Sequence, residues 1–346
     1  MRRFAVLVVT RNRPALLKRA ISTFVAAARP TGIEITSITV ADESENSGKT
    51  LAIVAALRTA FRSQEIRFIR GLSRPGALEG PGVTRAHGLA DVVNNDLKHE
   101  GLFMFDDDMC FVDCHYQGAL VTSAGSLIIA EAASIGDRQR VIVGCRYNGR
   151  QDLSGLEHLS NQTSFCDPDE IKASIARHQT PNEAPGGISG GFLFVSAPAN
   201  QLWSFLPWYN EDYFWLRRAA SSGWDLRQSK HALAHAPEDG FSLSYERLLF
   251  ENYGEVLWAA CSKLTPSSSI EEVRLHAVKE LNKRIEECVA VASRLSKNEK
   301  IRTKFIEPIE RARNELVSLV QATTSNESEL FVKHLCEAVI YCGQRA

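Results

Sequence analysis

The chain has 346 residues, with 40 Lys and Arg against 41 Asp and Glu and a formal net charge of -1. That length is enough to bury one large core and a smaller second one. The balanced charge excludes a chain that binds polyanions or anionic membranes through its overall field, leaving only a local basic patch for such a task.

No apolar run approaches the length needed to cross a bilayer. The start, Met1-Arg2-Arg3 followed by Phe4 to Val9, is too short in its apolar part for a signal peptide and reads as a first strand. The eight cysteines are scattered. Only Cys110 and Cys114 lie close together, with His115 beside them, and no second CxxC-like pair completes a zinc site. A reducing, cytoplasmic setting is expected.

In chain order, the apolar strand Phe4 to Val9 is followed by Pro14, which stands where a helix can begin. The helix Ala15 to Ala28 carries Leu16, Leu17, Ala20, Ile21 and Phe24 on one stripe. Ile33 to Val40 is a second strand, ending in Asp42-Glu43-Ser44-Glu45-Asn46. Leu51 to Phe61 is helical, and Ile66 to Ile69 is a short third strand. A Gly- and Pro-rich loop, 71–82, leads into a helix from Val83 to Leu97, and the strand Leu102-Phe103-Met104-Phe105 follows. This alternation predicts an α/β fold with a largely parallel sheet covered by helices.

Beyond residue 108 the rhythm is less regular. Val141 to Cys145 is a strand, 146–185 is a polar and variable stretch, and Gly186-Gly187-Ile188-Ser189-Gly190-Gly191 leads into the strand Phe192 to Val195. Trp208-Tyr209-Asn210-Glu211-Asp212 opens a helix through Ala220, and Asp225 to His235 includes a short strand. From Pro266 the character becomes helical. Ser268 and Ser269 precede Glu271 and Glu272 by three residues, a capping-box spacing. Three helices are expected there: one carrying Ile270 to Leu295, one over Lys300 to Ala322 kinked at Pro308, and one over Asn326 to Cys342.

Three consecutive carboxylates, Asp106-Asp107-Asp108, stand at the end of a buried strand, the edge where open α/β sheets bind ligands. Side by side they repel one another, so the run suits a bound cation, and hard oxygen ligands suit Mg²⁺ or Mn²⁺. On its own the run also reads as a solvated acidic turn.

Four constellations, in order, resemble the GT-A glycosyltransferases, closest to the family 2 type, over residues 4 to about 240. They are Val8-Val9-Thr10-Arg11-Asn12-Arg13-Pro14; Val40-Ala41-Asp42-Glu43-Ser44; the helix start Gly82-Val83-Thr84-Arg85-Ala86-His87-Gly88 followed by Asp106-Asp107-Asp108; and the glycine segment followed by Glu211-Asp212.

The resemblance implies a Rossmann-like, mostly parallel sheet flanked by helices over 1–260, with a C-terminal all-helical appendage over 266–346. It implies that the turn holding Thr10, Asn12 and Arg13 cradles a nucleotide and that Asp42 accepts a hydrogen bond from its base. Arg85 would meet the diphosphate at a helix entrance. Asp106 and Asp108 would form the Asp-x-Asp (DXD) signal, Asp106 facing the donor and Asp108 holding Mn²⁺ or Mg²⁺, with Asp107 between them. Gly187, Gly190 and Gly191 would let the backbone pass close to the donor sugar. Asp212 would be the general base and Glu211 would orient the acceptor, while His235 would be a third metal ligand.

The residues alone also permit plainer roles: an Asx-turn at Asp42, a surface Arg85, acids offsetting a helix dipole at 211–212, and a packing histidine at 235. The implied activity is a metal-dependent, inverting transfer of a sugar from a nucleotide diphosphate sugar to an acceptor hydroxyl on a saccharide, natural product, protein or nucleic acid. Two alternatives are a metal-dependent nucleotidyltransferase and a catalytically inactive GT-A binding module. The helical tail carries no chemical motif, and oligomerisation, acceptor docking and core coverage are all open to it.

Overall fold

The computed structural model of the chain describes residues 2–71, 81–95, 99–116, 118–135, 140–149, 188, 190–236, 245–295, 306–325 and 329–343. The variable stretch from 150, the loop 72–80, Gly186, Gly187 and Ser189 lie outside them.

An eight-stranded sheet organises the first part. Its strands are β1 (Arg3–Thr10), β2 (Glu34–Asp42), β3 (Glu65–Arg70), β4 (Gly101–Asp106), β5 (Met109–Cys110), β8 (Val141–Gly149), β9 (Phe192–Val195) and β10 (Asp225–His235), in spatial order β3-β2-β1-β4-β9-β8-β10-β5. A separate hairpin joins β6 (Cys114–Tyr116) to β7 (Ala119–Val121). Strands β3, β2, β1 and β4 pair in parallel, as do β8 and β10. Strand β9 runs against both neighbours, β4 and β8, and β5 runs against β10. The sheet is therefore mixed and mostly parallel, as expected of a GT-A architecture.

The periodicity of the strands explains the layers. Along β4, Phe103 and Phe105 point to one face while Leu102 and Met104 point to the other. The phenylalanine face packs on α1 (Pro14–Ala28), α2 (Gly48–Ala60) and α4 (Gly125–Ser134), where Phe24, Phe103, Phe105, Phe111, Phe192 and Phe194 interlock. The opposite face meets α3 (Pro81–Asn95) and α5 (Glu211–Ser221) through Leu89, Val92, Trp215 and Leu216. A sheet covered on both sides needs continuous apolar strands, and all four residues of β9 are buried. Helix α3 lies close to the sheet because Gly88 leaves room: a Cβ there would stand 2.3 Å from Leu7 Cδ1.

Four more helices follow: α6 (Tyr245–Lys263), α7 (Ile270–Leu295), α8 (Glu307–Thr324) and α9 (Glu329–Gly343). They share one apolar core that includes Leu257, Leu281, Leu316 and Leu335, and that core takes in Trp208 and Phe214 from the sheet domain. The capping box is present at α7, where the Ser269 N–H donates to Glu272 Oε2 and the Glu272 N–H donates to Ser269 Oγ. Pro308 stands in the first turn of α8, where its missing N–H leaves no bond unmade, and the expected kink there concerns a boundary whose preceding side is outside the described residues. The stretch before residue 306 lies outside the described residues.

Candidate active site

The carboxyl ends of the parallel strands converge on one cavity. Among the described residues it is lined by Val9, Thr10, Arg11, Arg13, Glu43, Arg85, Asp106, Gly190, Gly191 and the segment Tyr209 to Tyr213. Strand β1 delivers Val9 to Arg11, β4 delivers Asp106, the approach to β9 delivers the two glycines, and the start of α5 delivers the acid pair.

Strand β4 ends at Asp106, and the next two residues form a turn, so the three aspartates point three ways. Asp106 faces the cavity and accepts from Arg85 Nη2 at 2.6 Å. Asp107 is fully buried; it accepts from Thr10 Oγ1 at 2.6 Å and pairs with Arg13 Nη2 at 2.6 Å. Asp108 accepts from Arg13 Nη1 at 2.9 Å and stands 3.4 Å from His235 Nε2. Burial pushes the Asp107 carboxyl up to about 8, against the attraction of Arg13 and with Asp108 adding to the rise. Burial also opposes the Asp108 anion, but His235 and Arg13 outweigh it and hold that carboxyl far below the usual carboxylate range. The neighbouring acids thus divide one guanidinium between a carboxyl favoured neutral and one favoured anionic.

Arg85 is not on the surface. It is 7% exposed at the back of the cavity, where it bonds Asp106 and stands 3.4 Å from Glu211 Oε1 through Nε. Burial works against its charge, and Asp106, Glu211 and Asp212 overcome that penalty. Burial in turn raises the Glu211 carboxyl to about 8, against Arg85 and with Asp212 adding to the rise. Asp212, partly exposed, accepts the Gly190 N–H at Oδ2, 2.6 Å away.

Gly190 is required by close approach rather than by its dihedral angle. A Cβ there would lie 2.5 Å from Asp212 Cβ and 2.6 Å from Arg85 Nη1. Gly190→Ala is expected to displace the Asp212 carboxylate and to lower activity by about 10²-fold, the scale of a small misplacement at a reacting centre. Steady-state turnover alongside an unchanged circular dichroism spectrum checks this.

At the end of β2 two neighbouring acids do different work. Asp42 is fully buried outside the cavity lining, and its Oδ1 accepts from both the N–H and the hydroxyl of Ser44. Its Oδ2 is buried without a hydrogen-bond partner among the described residues. Glu43, one residue on, lines the cavity; its Oε2 accepts from Thr84 Oγ1 at 3.2 Å, and Arg11 stands 3.9 Å away. Burial raises the Glu43 carboxyl, with Arg11 and Thr84 opposing. Ser44 links the turns after β1 and β2, because its Oγ accepts the Asn12 N–H at 2.6 Å, with Asn12 in the left-handed region at φ 56°.

Thr10, Arg13, Arg85, Asp106, Gly190, Gly191, Glu211 and Asp212 are therefore gathered at one cavity, whereas Asn12, Asp42, Asp107, Asp108 and His235 stand behind or beside it. Glu43 is the acid that sequence reasoning passed over. Its signal was only its adjacency to Asp42, and which of the two faces inward depends on the turn. Of the aromatic residues near the acid pair, Trp208 and Trp215 are core, while Tyr209 and Tyr213 line the cavity.

As a metal site the residues form a pair rather than a cage. Among the described residues no group of three or more His, Cys, Asp or Glu converges on one point. Asp108 and His235, with their donor atoms side by side, offer a carboxylate and an imidazole to a cation that takes its other ligands from phosphate oxygens and water. That division of ligands is usual for Mg²⁺ at phosphate sites.

No family model matches the chain, and no curated protein matches it. Several solved structures do. The mannosyltransferase PcManGT from Pyrobaculum calidifontis, in complex with GDP-Man and Mn2+, is 12% identical over 99% of this chain and 86% of its own, with a TM-score of 0.44. S. aureus TarS 1–349 in complex with UDP-GlcNAc is 12% identical over 98% of this chain and 90% of its own, at 0.45. The 4-diphosphocytidyl-2C-methyl-D-erythritol synthase from Anaerococcus prevotii is 9% identical over 73% of this chain and 96% of its own, at 0.39. These likenesses are distant, and the functional reading rests on the chain's own residues.

Proposed function

We propose that the chain is a glycosyltransferase that moves a sugar from a nucleotide diphosphate sugar to an acceptor hydroxyl. The observation that carries this reading is the single cavity in which Asp106 at the end of β4 and Asp212 at the start of α5 face the same space, tied together through Arg85 and the Gly190 N–H.

Asp212 takes the acceptor proton while the acceptor oxygen attacks the anomeric carbon. The bond from that carbon to the diphosphate oxygen breaks on the opposite face, which inverts the configuration. Glu211, held by Arg85, shapes the acceptor side, and Tyr209 and Tyr213 give that side aromatic walls. The nucleotide lies along the turns after β1 and β2, where Thr10, Arg13 and Glu43 line the cavity and Asn12, Asp42 and Ser44 fix the backbone.

Mn²⁺ or Mg²⁺ held by Asp108 and His235, with Asp106 toward the donor, would neutralise charge on the leaving diphosphate. Arg11 and Arg13 add fixed positive charge at the same mouth. Asp108→Ala is then expected to abolish the metal-dependent part of donor binding. Calorimetric titration of donor with and without Mn²⁺ checks it, and undiminished metal stimulation would remove Asp108 as a ligand.

No helix among the described residues is long and apolar enough to cross a membrane. The seven cysteines among the described residues are free thiols, which supports a reducing compartment such as the cytoplasm.

The function is tested by a thermal-shift screen of nucleotide sugars with and without Mn²⁺, followed by an assay for released nucleoside diphosphate. At least one nucleotide sugar should raise the melting temperature and be turned over, with an inverted anomeric signal by NMR. Pyrophosphate release from a nucleoside triphosphate would overturn the reading in favour of nucleotidyl transfer. Donor binding without turnover on any acceptor would favour a binding module.

A further inference from the structure

We propose that Arg13 is the resident cation of the aspartate turn and makes metal entry conditional on the diphosphate, a regulation that rests on reading Asp108 and His235 as metal ligands. Arg13 stands immediately before α1, on the turn that follows β1. Its guanidinium is shared by two acids. Nη2 stands 2.6 Å from Asp107 Oδ1 and Nε donates to Asp107 Oδ2 at 3.2 Å, while Nη1 donates to Asp108 Oδ2 at 2.9 Å.

Which oxygen Arg13 holds is decisive. Asp108 Oδ2 is also the atom that stands 3.4 Å from His235 Nε2. The carboxylate oxygen that faces the imidazole is therefore the one that already accepts from Arg13. A metal ion shared by Asp108 and His235 through that oxygen would meet the guanidinium there. Two cations so close repel one another, and a metal ion arriving alone brings no anion to offset the repulsion.

A diphosphate changes that balance. Arg13 lines the cavity with its side chain 32% exposed, so Nη1 can exchange Asp108 for a phosphate oxygen while Asp107 keeps the rest of the fork. The same phosphate oxygens supply the hard ligands that Mn²⁺ or Mg²⁺ needs beyond Asp108 and His235. Freeing Asp108 and completing the ligand set are then coupled, and donor and metal each strengthen the binding of the other.

The cavity contains its own comparison. Arg11 lines the same space, but its acid partner is Glu43, whose Oε1 is 3.9 Å away. Neutralising Arg11 weakens the general positive field without releasing an oxygen of Asp108. Neutralising Arg13 does both.

The test titrates Mn²⁺ alone into the donor-free chain and reads the free ion by electron paramagnetic resonance. It involves no turnover, so its outcome is independent of which reaction the chain performs. Arg13→Gln should bind Mn²⁺ about 10-fold more tightly than wild type, within the usual range of coupled sites. Arg11→Gln should stay close to wild type, and adding Asp108→Ala to Arg13→Gln should erase the gain. Arg13→Lys keeps a charge beside the buried Asp107 and serves if Arg13→Gln does not fold. It should also bind Mn²⁺ more tightly than wild type, because one ammonium cannot span both acids as the fork does. Unchanged or weaker binding in the Arg13 variants would overturn the proposal alone. So would an equal gain in Arg11→Gln, or a gain that survives Asp108→Ala. Absence of Mn²⁺ binding in every variant would overturn it together with the metal reading on which it rests.

Discussion

Asp212→Asn is expected to leave donor affinity unchanged while lowering transfer by about 10²- to 10⁴-fold, the span that a positioned general base contributes. The amide is nearly the shape of the carboxylate, and its oxygen can still accept the Gly190 N–H that now reaches Asp212 Oδ2 at 2.6 Å. The loop before β9 and the start of α5 therefore keep their positions, and what is lost is the capacity to take a proton. Released nucleoside diphosphate gives the rate, and calorimetry gives the donor affinity. A variant with wild-type turnover would remove Asp212 as the base. A variant that binds donor poorly would assign it to the donor instead.

Arg85→Met should cost stability before it costs anything else. The guanidinium is the buried cation shared by Asp106 and Glu211, with Asp212 close by. An apolar chain of similar length leaves those acids without their partner, and breaking a buried ion pair in this way costs about 3–5 kcal/mol. The Asp106 side chain is 31% exposed, so water offsets part of the loss and the lower end of that range is expected. Arg85→Lys should fall between the two, because an ammonium cannot reproduce the planar fork that meets two carboxylates at once. Urea unfolding of the three proteins measures this order. Wild-type stability in Arg85→Met, combined with weakened donor binding, would return Arg85 to the diphosphate, the role implied by its place at a helix start.

The parts of this arrangement legible in the sequence were those written locally. The apolar runs at Phe4 to Val9 and Leu102 to Phe105 mark the buried strands, and the acids that follow Val40 and Phe105 mark the sheet's working edge. The acids at Glu211 and Asp212 mark a helix start by type and position.

What depends on distant partners was not legible. Arg85 reads as a cation at a helix entrance, open to a diphosphate, and its burial against Glu211, more than a hundred residues later, is not visible in the sequence. Glu43 faces the cavity instead of Asp42 because the strand direction continues one residue past β2: the Glu43 N–H donates to the Thr10 carbonyl, while Asp42 turns back to Ser44. Helices α4 and α6 carry no strong start signal, and packing against Phe111 and Tyr209 defines them in ways a window of sequence does not show. In each case tertiary contact outweighs local pattern.

Strand β9 has a consequence for how the chain assembles. Among the described residues it joins the block β3-β2-β1-β4 to the block β8-β10-β5, and it runs against its neighbour on each side. Until it inserts, β4 and β8 each present a long, apolar, unpaired edge, the kind of surface that recruits other chains. The same insertion brings Gly191 to accept the Asp106 N–H and Gly190 to meet Asp212. Closing the sheet and completing the cavity are thus one event. A full-length chain in which β9 fails to insert would be sticky and would leave the cavity incomplete for a single reason.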